Sequence, residues 1–176
     1  MSKSDRFLLW LQGPTSSGKS TIAQAYVDRL RAAGLPVIHY DGDEVRDFFG
    51  RDFGFHDANR LKVVSTLVHL AGKASEAGMN VIVSALTANE DARELVRTDL
   101  PQATHGYVKC NIETCAARDP KGLYARAKAG EIDTLIGWST PYTPPLCPDI
   151  VLDTDTQSVE SLLDQLDREL LGRLTV

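Results

Sequence analysis

The sequence predicts an α/β fold, a three-layer αβα sandwich around a mainly parallel five-stranded sheet. Short apolar runs alternate with segments of helical periodicity, a pattern typical of βαβ units and a parallel sheet. A glycine-rich loop also stands between the first apolar run and the first helical segment. The apolar runs predicted as strands are Phe7–Leu11, Val37–Tyr40, Val81–Val83, Gly106–Cys110 and Ile150–Leu152.

The glycine-rich loop, residues 13–20, reads G-P-T-S-S-G-K-S and matches the phosphate-loop pattern G-x-x-x-x-G-K-[ST]. Its glycines let backbone N–H groups surround the α- and β-phosphates. Lys19 can reach the β- and γ-phosphate oxygens, and Ser20 offers a hydroxyl to Mg²⁺. The loop therefore predicts a fold of the P-loop NTPase type that binds a nucleoside triphosphate with Mg²⁺. The residues predicted to bind the nucleotide are Gly13, Thr15, Ser16, Ser17, Gly18, Lys19, Ser20 and Thr21.

The helical segments have recognisable ends, and two stretches interrupt the alternation. In the segment 57–78, Asp57 is a candidate N-cap and Gly78 a candidate C-cap. The interruptions are a charged and aromatic stretch at 41–55 and a polar, proline-rich stretch at 118–148. Long connections of this kind are usually functional loops. We therefore expect one phosphate-loop domain over residues 1–176, with a lid region at about 118–148.

Composition restricts the partners. The net charge is −5 and the cations are scattered, which argues against a nucleic-acid partner. No apolar run approaches the roughly 20 residues that span a bilayer, so we expect no membrane partner. Cys110, Cys115 and Cys147 are odd in number, lack metal-ligand spacing and follow no secretory signal, which favours reduced thiols in the cytoplasm. An anionic small-molecule ligand would therefore need a local pocket, and a homodimer stays open.

Three reaction classes use such a loop. A GTPase would need a guanine-reading N-K-x-D tetrapeptide, which the sequence lacks. A motor or helicase-like ATPase would need a longer chain. A small-molecule kinase needs only a core, an acceptor pocket and an arginine-bearing lid that excludes water, so this class fits best.

Further motifs narrow the class. Residues 41–46 read D-G-D-E-V-R, residues 118–124 read R-D-P-K-G-L-Y, and residues 151–154 read V-L-D-T. Together with the phosphate loop, these motifs resemble the adenylylsulfate kinase family in register over essentially the whole chain. The resemblance implies transfer of the ATP γ-phosphoryl group to the 3′-hydroxyl of adenosine 5′-phosphosulfate, with Mg²⁺.

The resemblance also implies roles for individual residues. Lys19, Asp41, Asp43 and Arg118 are the catalytic candidates, and Ser20 with Asp41 the candidates for holding the metal. Either Asp41 or Asp43 could orient the acceptor hydroxyl. A competing interpretation makes Asp43 only the N-cap of a following helix. The candidate acceptor-binding residues are Asp43, Arg46, Phe55, Arg60, Thr87 and Lys121.

The sequence departs from the family on the acceptor side. Val63 stands where the family has Asn, Thr87 where it has Ser, and Leu135 where it has a base-stacking aromatic residue. The acceptor therefore stays open between adenosine 5′-phosphosulfate and another nucleotide-linked molecule, for example a cytidine diphosphate conjugate such as a phosphoramidate. A nucleotide-binding module without transferase activity is the third alternative.

Overall fold

The structure is a computed structural model that describes residues 6–50, 53–54 and 56–172. Its five strands form one sheet in the order β2-β3-β1-β4-β5. The strands are β1 (Leu8–Gln12), β2 (Val37–Asp41), β3 (Asn80–Ala85), β4 (Thr104–Lys109) and β5 (Ile150–Asp153). The helices are α1 (Lys19–Ala32), α2 (Gly42–Phe48), α3 (Asp57–Glu76), α4 (Glu90–Asp99), α5 (Ile112–Arg118), α6 (Leu123–Lys128) and α7 (Val159–Leu166).

Every strand pair within the described residues is parallel, so the predicted sheet is confirmed. The central strand β1 is buried on both faces, as expected of a parallel sheet covered by helices. Its side chains alternate between two apolar clusters: Leu9 and Leu11 belong to one, and Leu8 and Trp10 to the other.

Helices cover both faces of the sheet and complete the predicted three layers. On one face, Tyr26 of α1 and Leu166 of α7 pack into the same cluster as Leu9. On the other face, Leu67 of α3 and Val96 of α4 pack into the cluster of Trp10. Within the described residues, no helix is both long and apolar enough to cross a membrane.

Both ends of helix α3 differ by one residue from the sequence-based prediction. Helix α3 starts at Asp57 itself, and His56 is its N-cap, so the prediction of Asp57 as the cap is wrong by one residue. At the other end, Ala77 is the C-cap and Gly78 follows it with φ 92°. A left-handed residue just beyond the cap is the usual place for glycine.

Helix α2 is capped by Asp41, whose side chain accepts a hydrogen bond of 2.8 Å from the backbone N–H of Asp43. The interpretation of Asp43 as the cap is therefore wrong. Because Asp41 ends β2 and α2 begins at the next residue, no loop separates strand from helix. The turn fixes both carboxylates at the carboxyl edge of the sheet.

The predicted lid region is built around a third, smaller apolar cluster at the carboxyl edge of the sheet. Cys110, Cys115, Tyr124 and Leu135 form its buried centre. Between α6 and β5 the chain has no helix or strand, only an isolated bridge between Ile136 and Thr140. The three cysteines are free, and only Cys147 is exposed. The region is thus irregular but anchored on a core of its own.

Candidate active site

The phosphate loop follows the central strand and opens helix α1. Gly18 is the N-cap of α1 with φ 98°, a left-handed conformation that favours glycine. At Gly13, an added Cβ would lie 2.5 Å from the carbonyl oxygen of Val108 in β4, so only glycine fits against that strand. The two motif glycines are therefore required by backbone conformation and by close approach, respectively.

Lys19 is held within the loop. Its Nζ donates hydrogen bonds to the carbonyl oxygens of Gly13 at 2.9 Å and Pro14 at 2.7 Å. Burial lowers the pKa of Lys19 to about 8, although the charges of Asp43 and Asp41 act in the opposite direction. The pKa of Lys19 therefore lies only slightly above neutral pH, and a nearby anion would favour the charged form of the ammonium group.

Asp41 joins three elements through one carboxylate. Its Oδ2 accepts hydrogen bonds from Ser20 Oγ at 2.5 Å and from Ser84 Oγ at 2.6 Å, while Oδ1 accepts from the N–H of Asp43. Burial acts to raise the pKa of Asp41, but these hydrogen bonds outweigh it and the pKa lies below its usual value. Asp41 therefore stays ionised, and its oxygens are already engaged.

Asp43 has a different environment. Its side chain is 60% exposed and its Oδ2 accepts a 2.5 Å hydrogen bond from Nζ of Lys121. Burial acts to lower the pKa of Lys121, but the hydrogen bond and charge of Asp43 raise it above its usual value. Lys121 belongs to the predicted lid region, so this pair connects α2 with that region across the site.

A cleft of about 670 Å³ lies along the carboxyl edge of the sheet. Its apolar lining residues include Val63 of α3, Leu86 of the β3–α4 loop and Leu135 of the third cluster. Although the chain is acidic overall, the described lining residues are rich in positive charge. The cationic ones are Lys19, Arg46, Arg60, Arg118 and Lys121, and the acidic ones are Asp41 and Asp43.

The two arginines predicted on the acceptor side are partly or largely buried and bonded to backbone carbonyls. Arg46 Nη1 donates to the oxygen of Gly54 at 3.0 Å, and Arg60 Nη2 donates to that of Thr134 at 2.7 Å. Burial lowers the pKa of both guanidinium groups. Phe55, the predicted stacking residue, lies outside the described residues.

Thr87 lies in the loop between β3 and α4 and is 4% exposed. Its Oγ1 accepts a 3.0 Å hydrogen bond from the indole Nε1 of Trp10. Its φ of 41° is unusual for a β-branched residue. Thr87 lines the cleft, and its hydroxyl is held by the hydrogen bond from Trp10 in the core.

Arg118 ties the end of α5 to the phosphate loop and to the residue after β5. Its Nη2 donates to the carbonyl oxygen of Thr154 at 2.7 Å, and its Nη1 to Thr154 Oγ1 at 3.1 Å. Thr154 Oγ1 in turn donates to the carbonyl oxygen of Ser17 at 2.9 Å. Arg118 is thus positioned beside the phosphate loop.

The structure brings most of the predicted site residues together. Gly13 and Ser17 are buried in the loop behind the cleft. Trp138, the aromatic residue nearest to Leu135 in sequence, is 46% exposed and packs edge-on against Tyr124. The predicted residues that line the cleft are Thr15, Ser16, Gly18, Lys19, Ser20, Thr21, Asp41, Asp43, Arg46, Arg60, Thr87, Arg118 and Lys121.

Three residues at the site escaped prediction. The Tyr124 hydroxyl donates to the carbonyl oxygen of Thr15 at 3.0 Å, and Thr154 bridges Arg118 to the loop. Tyr124 lies in the motif R-D-P-K-G-L-Y and Thr154 in the motif V-L-D-T, so these motifs could have identified both residues. Arg93, which is 4% exposed beneath the β3–α4 loop, stands in no such motif.

The oxygen ligands suit Mg²⁺. The oxygen atoms of the Ser20 hydroxyl and the Asp41 carboxylate are hard ligands of the kind that Mg²⁺ prefers, and the two groups are hydrogen-bonded to each other. Mg²⁺ is usually bound by one or two such groups together with waters and substrate phosphates, rather than by a cage of protein ligands. Accordingly, the described residues hold no cluster of three or more His, Cys, Asp or Glu side chains suited to a metal.

Comparison with known proteins agrees with this site. The family model described as adenylylsulphate kinase matches residues 5–153. The adenylyl-sulfate kinase of Bacillus licheniformis is 39% identical over 161 residues, which cover 90% of this chain and 82% of the relative. That of Vibrio cholerae is 38% identical over 168 residues, covering 94% and 78%. The chain belongs to the adenylylsulphate kinase family.

A solved structure shows the same architecture. The Mycobacterium tuberculosis APS kinase CysC, in complex with AMPPNP and APS, superposes with a TM-score of 0.88 at 30% identity. The match covers 94% of this chain and 98% of that chain. Family membership makes this protein a kinase that transfers a phosphoryl group to a hydroxyl, which excludes the alternative of a non-catalytic nucleotide-binding module.

The lowered pKa of Lys19 predicts that ATP binding takes up protons. Near pH 8 a fraction of the free protein carries a neutral Lys19, and the phosphate charges of ATP raise its pKa. Binding should therefore weaken as the pH rises through about 8. Calorimetry at pH 8 in two buffers of different ionisation enthalpy measures the uptake.

The control for this measurement is Lys19→Met, which has no ammonium group to titrate. Its residual binding should show no buffer-dependent heat from this source. Equal heats in both buffers for the wild-type protein would contradict the prediction.

Proposed function

We propose that this protein transfers the γ-phosphoryl group of ATP to the 3′-hydroxyl of adenosine 5′-phosphosulfate, with Mg²⁺. The observation that carries the proposal is one cleft in which an intact phosphate loop faces Arg46, Arg60 and Lys121. These cations suit an acceptor that carries a phosphosulfate group. The relatives named adenylyl-sulfate kinase support the choice of acceptor over a cytidine diphosphate conjugate.

On the donor side, the loop backbone and Lys19 bind the phosphates. The two hydrogen bonds that Lys19 now donates to loop carbonyls keep its ammonium group inside the loop, where the β- and γ-phosphates would lie. Ser20 and Asp41 would hold Mg²⁺, which supplies positive charge to the phosphates when it is bound. The buried, ionised state of Asp41 fits a metal ligand.

On the acceptor side, Asp43 is the better candidate for orienting the hydroxyl. Asp41 already accepts three hydrogen bonds, and each of its oxygens has a partner. Asp43 is exposed to the cleft, and its Oδ2 accepts a hydrogen bond from Lys121. Phosphoryl transfer depends mainly on positioning and charge, so orientation of the hydroxyl by Asp43 is the required contribution.

Arg118 and Lys121 are proposed to stabilise the charge on the transferred group and on the acceptor. Arg118 is locked between Thr154 and the loop at Ser17, so its guanidinium group is preorganised. Lys121, 56% exposed, has room to exchange Asp43 for an anionic ligand. A cytoplasmic location and a homodimer stay predictions.

The test of the proposed function is an acceptor panel. ADP release from ATP should depend on adenosine 5′-phosphosulfate and should be absent with cytidine diphosphate conjugates. Lys19→Ala is the control, because it removes the phosphate-binding cation and should abolish turnover in a folded protein. ADP release that requires a different acceptor would refute the proposal.

The two aspartates should be separable by mutation. Asp43→Asn should lower kcat at least about 100-fold at saturating Mg²⁺, because the amide cannot accept the proton of the hydroxyl in the same way. Asp41→Asn should instead raise the Mg²⁺ concentration needed for half-maximal rate. Titration of Mg²⁺ against rate in both variants, with melting temperatures as the folding control, makes the measurement. The reverse pattern would exchange the two assignments.

The departures at Val63 and Leu135 can be tested together. Both side chains are buried and line the cleft. If Arg46, Arg60 and Lys121 are sufficient to bind the acceptor, the double substitution Val63→Asn with Leu135→Phe should improve kcat/KM for adenosine 5′-phosphosulfate only modestly. A gain of more than about tenfold, in the range of one restored base–aromatic stack, would show that the wild-type pocket is adapted to another acceptor.

A further inference from the structure

Arg93 of helix α4 is a buried cation that does not line the cleft. Its side chain is 4% exposed. Its Nε donates to Oε1 of Gln12 at 3.2 Å and to the carbonyl oxygen of Thr87 at 3.1 Å, and its Nη2 donates to the carbonyl oxygen of Thr143 at 2.5 Å. A charge this deeply buried is costly unless its donors are satisfied.

The partners of Arg93 come from three parts of the site that are distant in sequence. Gln12 is the last residue of β1, directly before the phosphate loop. Thr87 is in the β3–α4 loop that lines the cleft, and Thr143 is in the predicted lid region. One rigid guanidinium group therefore sets the spacing of the nucleotide loop, the acceptor wall and the lid region.

The backbone at Thr87 shows that this loop is held against its own preference. A β-branched residue with φ 41° is strained, and such strain persists only where surrounding contacts enforce it. Two contacts do so here. Trp10 holds the Thr87 hydroxyl, and Arg93 holds the Thr87 carbonyl oxygen.

The lid region is anchored at the same place by aromatic contacts. The ring centre of Tyr142 lies 5.9 Å from the guanidinium carbon of Arg93, on the residue next to Thr143. The Tyr142 ring also stacks with Tyr107 of β4, with centroids 6.2 Å apart. Arg93 thus fastens the lid region to the sheet through both a backbone carbonyl and a neighbouring ring.

We propose that Arg93 is a positioning residue for the acceptor: with Trp10 it fixes the Thr87 loop, and through Thr143 it fixes the lid region, both relative to the phosphate loop. It contacts no reacting atom and acts through these two segments. The inference rests on the proposed function for the identity of the acceptor. The geometry of the three anchored segments does not depend on that identity.

The experiment uses Arg93→Lys, which keeps the charge but loses the fork that spans three partners. The kcat/KM for adenosine 5′-phosphosulfate should fall about 10- to 100-fold, since misplacement of reacting groups by about 1 Å has effects of this order. The Kd for ATP should stay unchanged, because the loop backbone and Lys19 are intact. The matched control is Arg97→Lys, one turn further along α4, where the side chain is exposed and paired with Glu94 and Glu90. Glu90 also forms a 3.5 Å ion pair with Nη1 of Arg93, and the lysine in the control keeps the positive charge beside it.

Trp10→Phe is the second variant: it removes the indole N–H that donates to Thr87 and keeps an aromatic, although smaller, ring at this buried core position, so its melting temperature is measured alongside its kinetics. It should show the same acceptor-selective loss, and it decides the matter if Arg93→Lys does not fold. Wild-type kinetics in either folded variant, or an equal loss for ATP and acceptor, would overturn the proposal.

Hydrogen exchange separates this proposal from the proposed function. The amides of residues 86–89 and those of Tyr142, Thr143 and Leu146 should exchange faster in Arg93→Lys than in the wild type and in Arg97→Lys, whatever the acceptor is. Unchanged exchange in both segments overturns the positioning role. A wild type inactive on adenosine 5′-phosphosulfate, with exchange altered as expected, refutes the proposed acceptor alone.

Discussion

The carboxylate of Asp41 is the interaction on which the geometry of the site depends. It caps α2, accepts from Ser20 at the start of α1, and accepts from Ser84 at the end of β3. The carboxyl edge of a parallel sheet has no regular structure to align the segments that leave it. Here the Asp41 carboxylate aligns these segments. The hydrogen bonds from its three donors outweigh the effect of burial on its pKa and keep it ionised.

This constraint also separates the duties of two neighbouring aspartates. Three structural hydrogen bonds fix the position of the Asp41 carboxylate and leave acceptor capacity for one further partner, so Asp41 can contribute to a cation site without moving. Asp43 follows in α2 but faces the cleft and the exposed side chain of Lys121. Two carboxylates of one tripeptide thus differ in burial and in partners, which is the basis on which nearby acids acquire different roles.

Local features of the site could be predicted from sequence, whereas the contacts that hold it together could not. The phosphate loop was predictable because its chemistry lies in eight consecutive residues with fixed backbone demands. The strands followed from the alternation of apolar runs with segments of helical periodicity. The cap of α3 was displaced by one residue, because His56 rather than Asp57 takes the extended conformation that precedes the helix. Arg93 carries no local signal, since its partners at 12, 87 and 143 meet only in the folded chain.

The two halves of the cleft therefore differ in how they tolerate change. The donor half is made of backbone groups and glycines that fit closely, as the approach of Gly13 to Val108 illustrates. The acceptor half is made of side chains on separate segments, with cations at Arg46, Arg60 and Lys121 and an apolar wall that includes Val63 and Leu135. Substitutions in that wall change stacking and hydrogen bonds one residue at a time, while the charges and the anchors at Thr87 and Thr143 stay in place. A family member can thus diverge in its acceptor wall without losing the geometry of phosphoryl transfer.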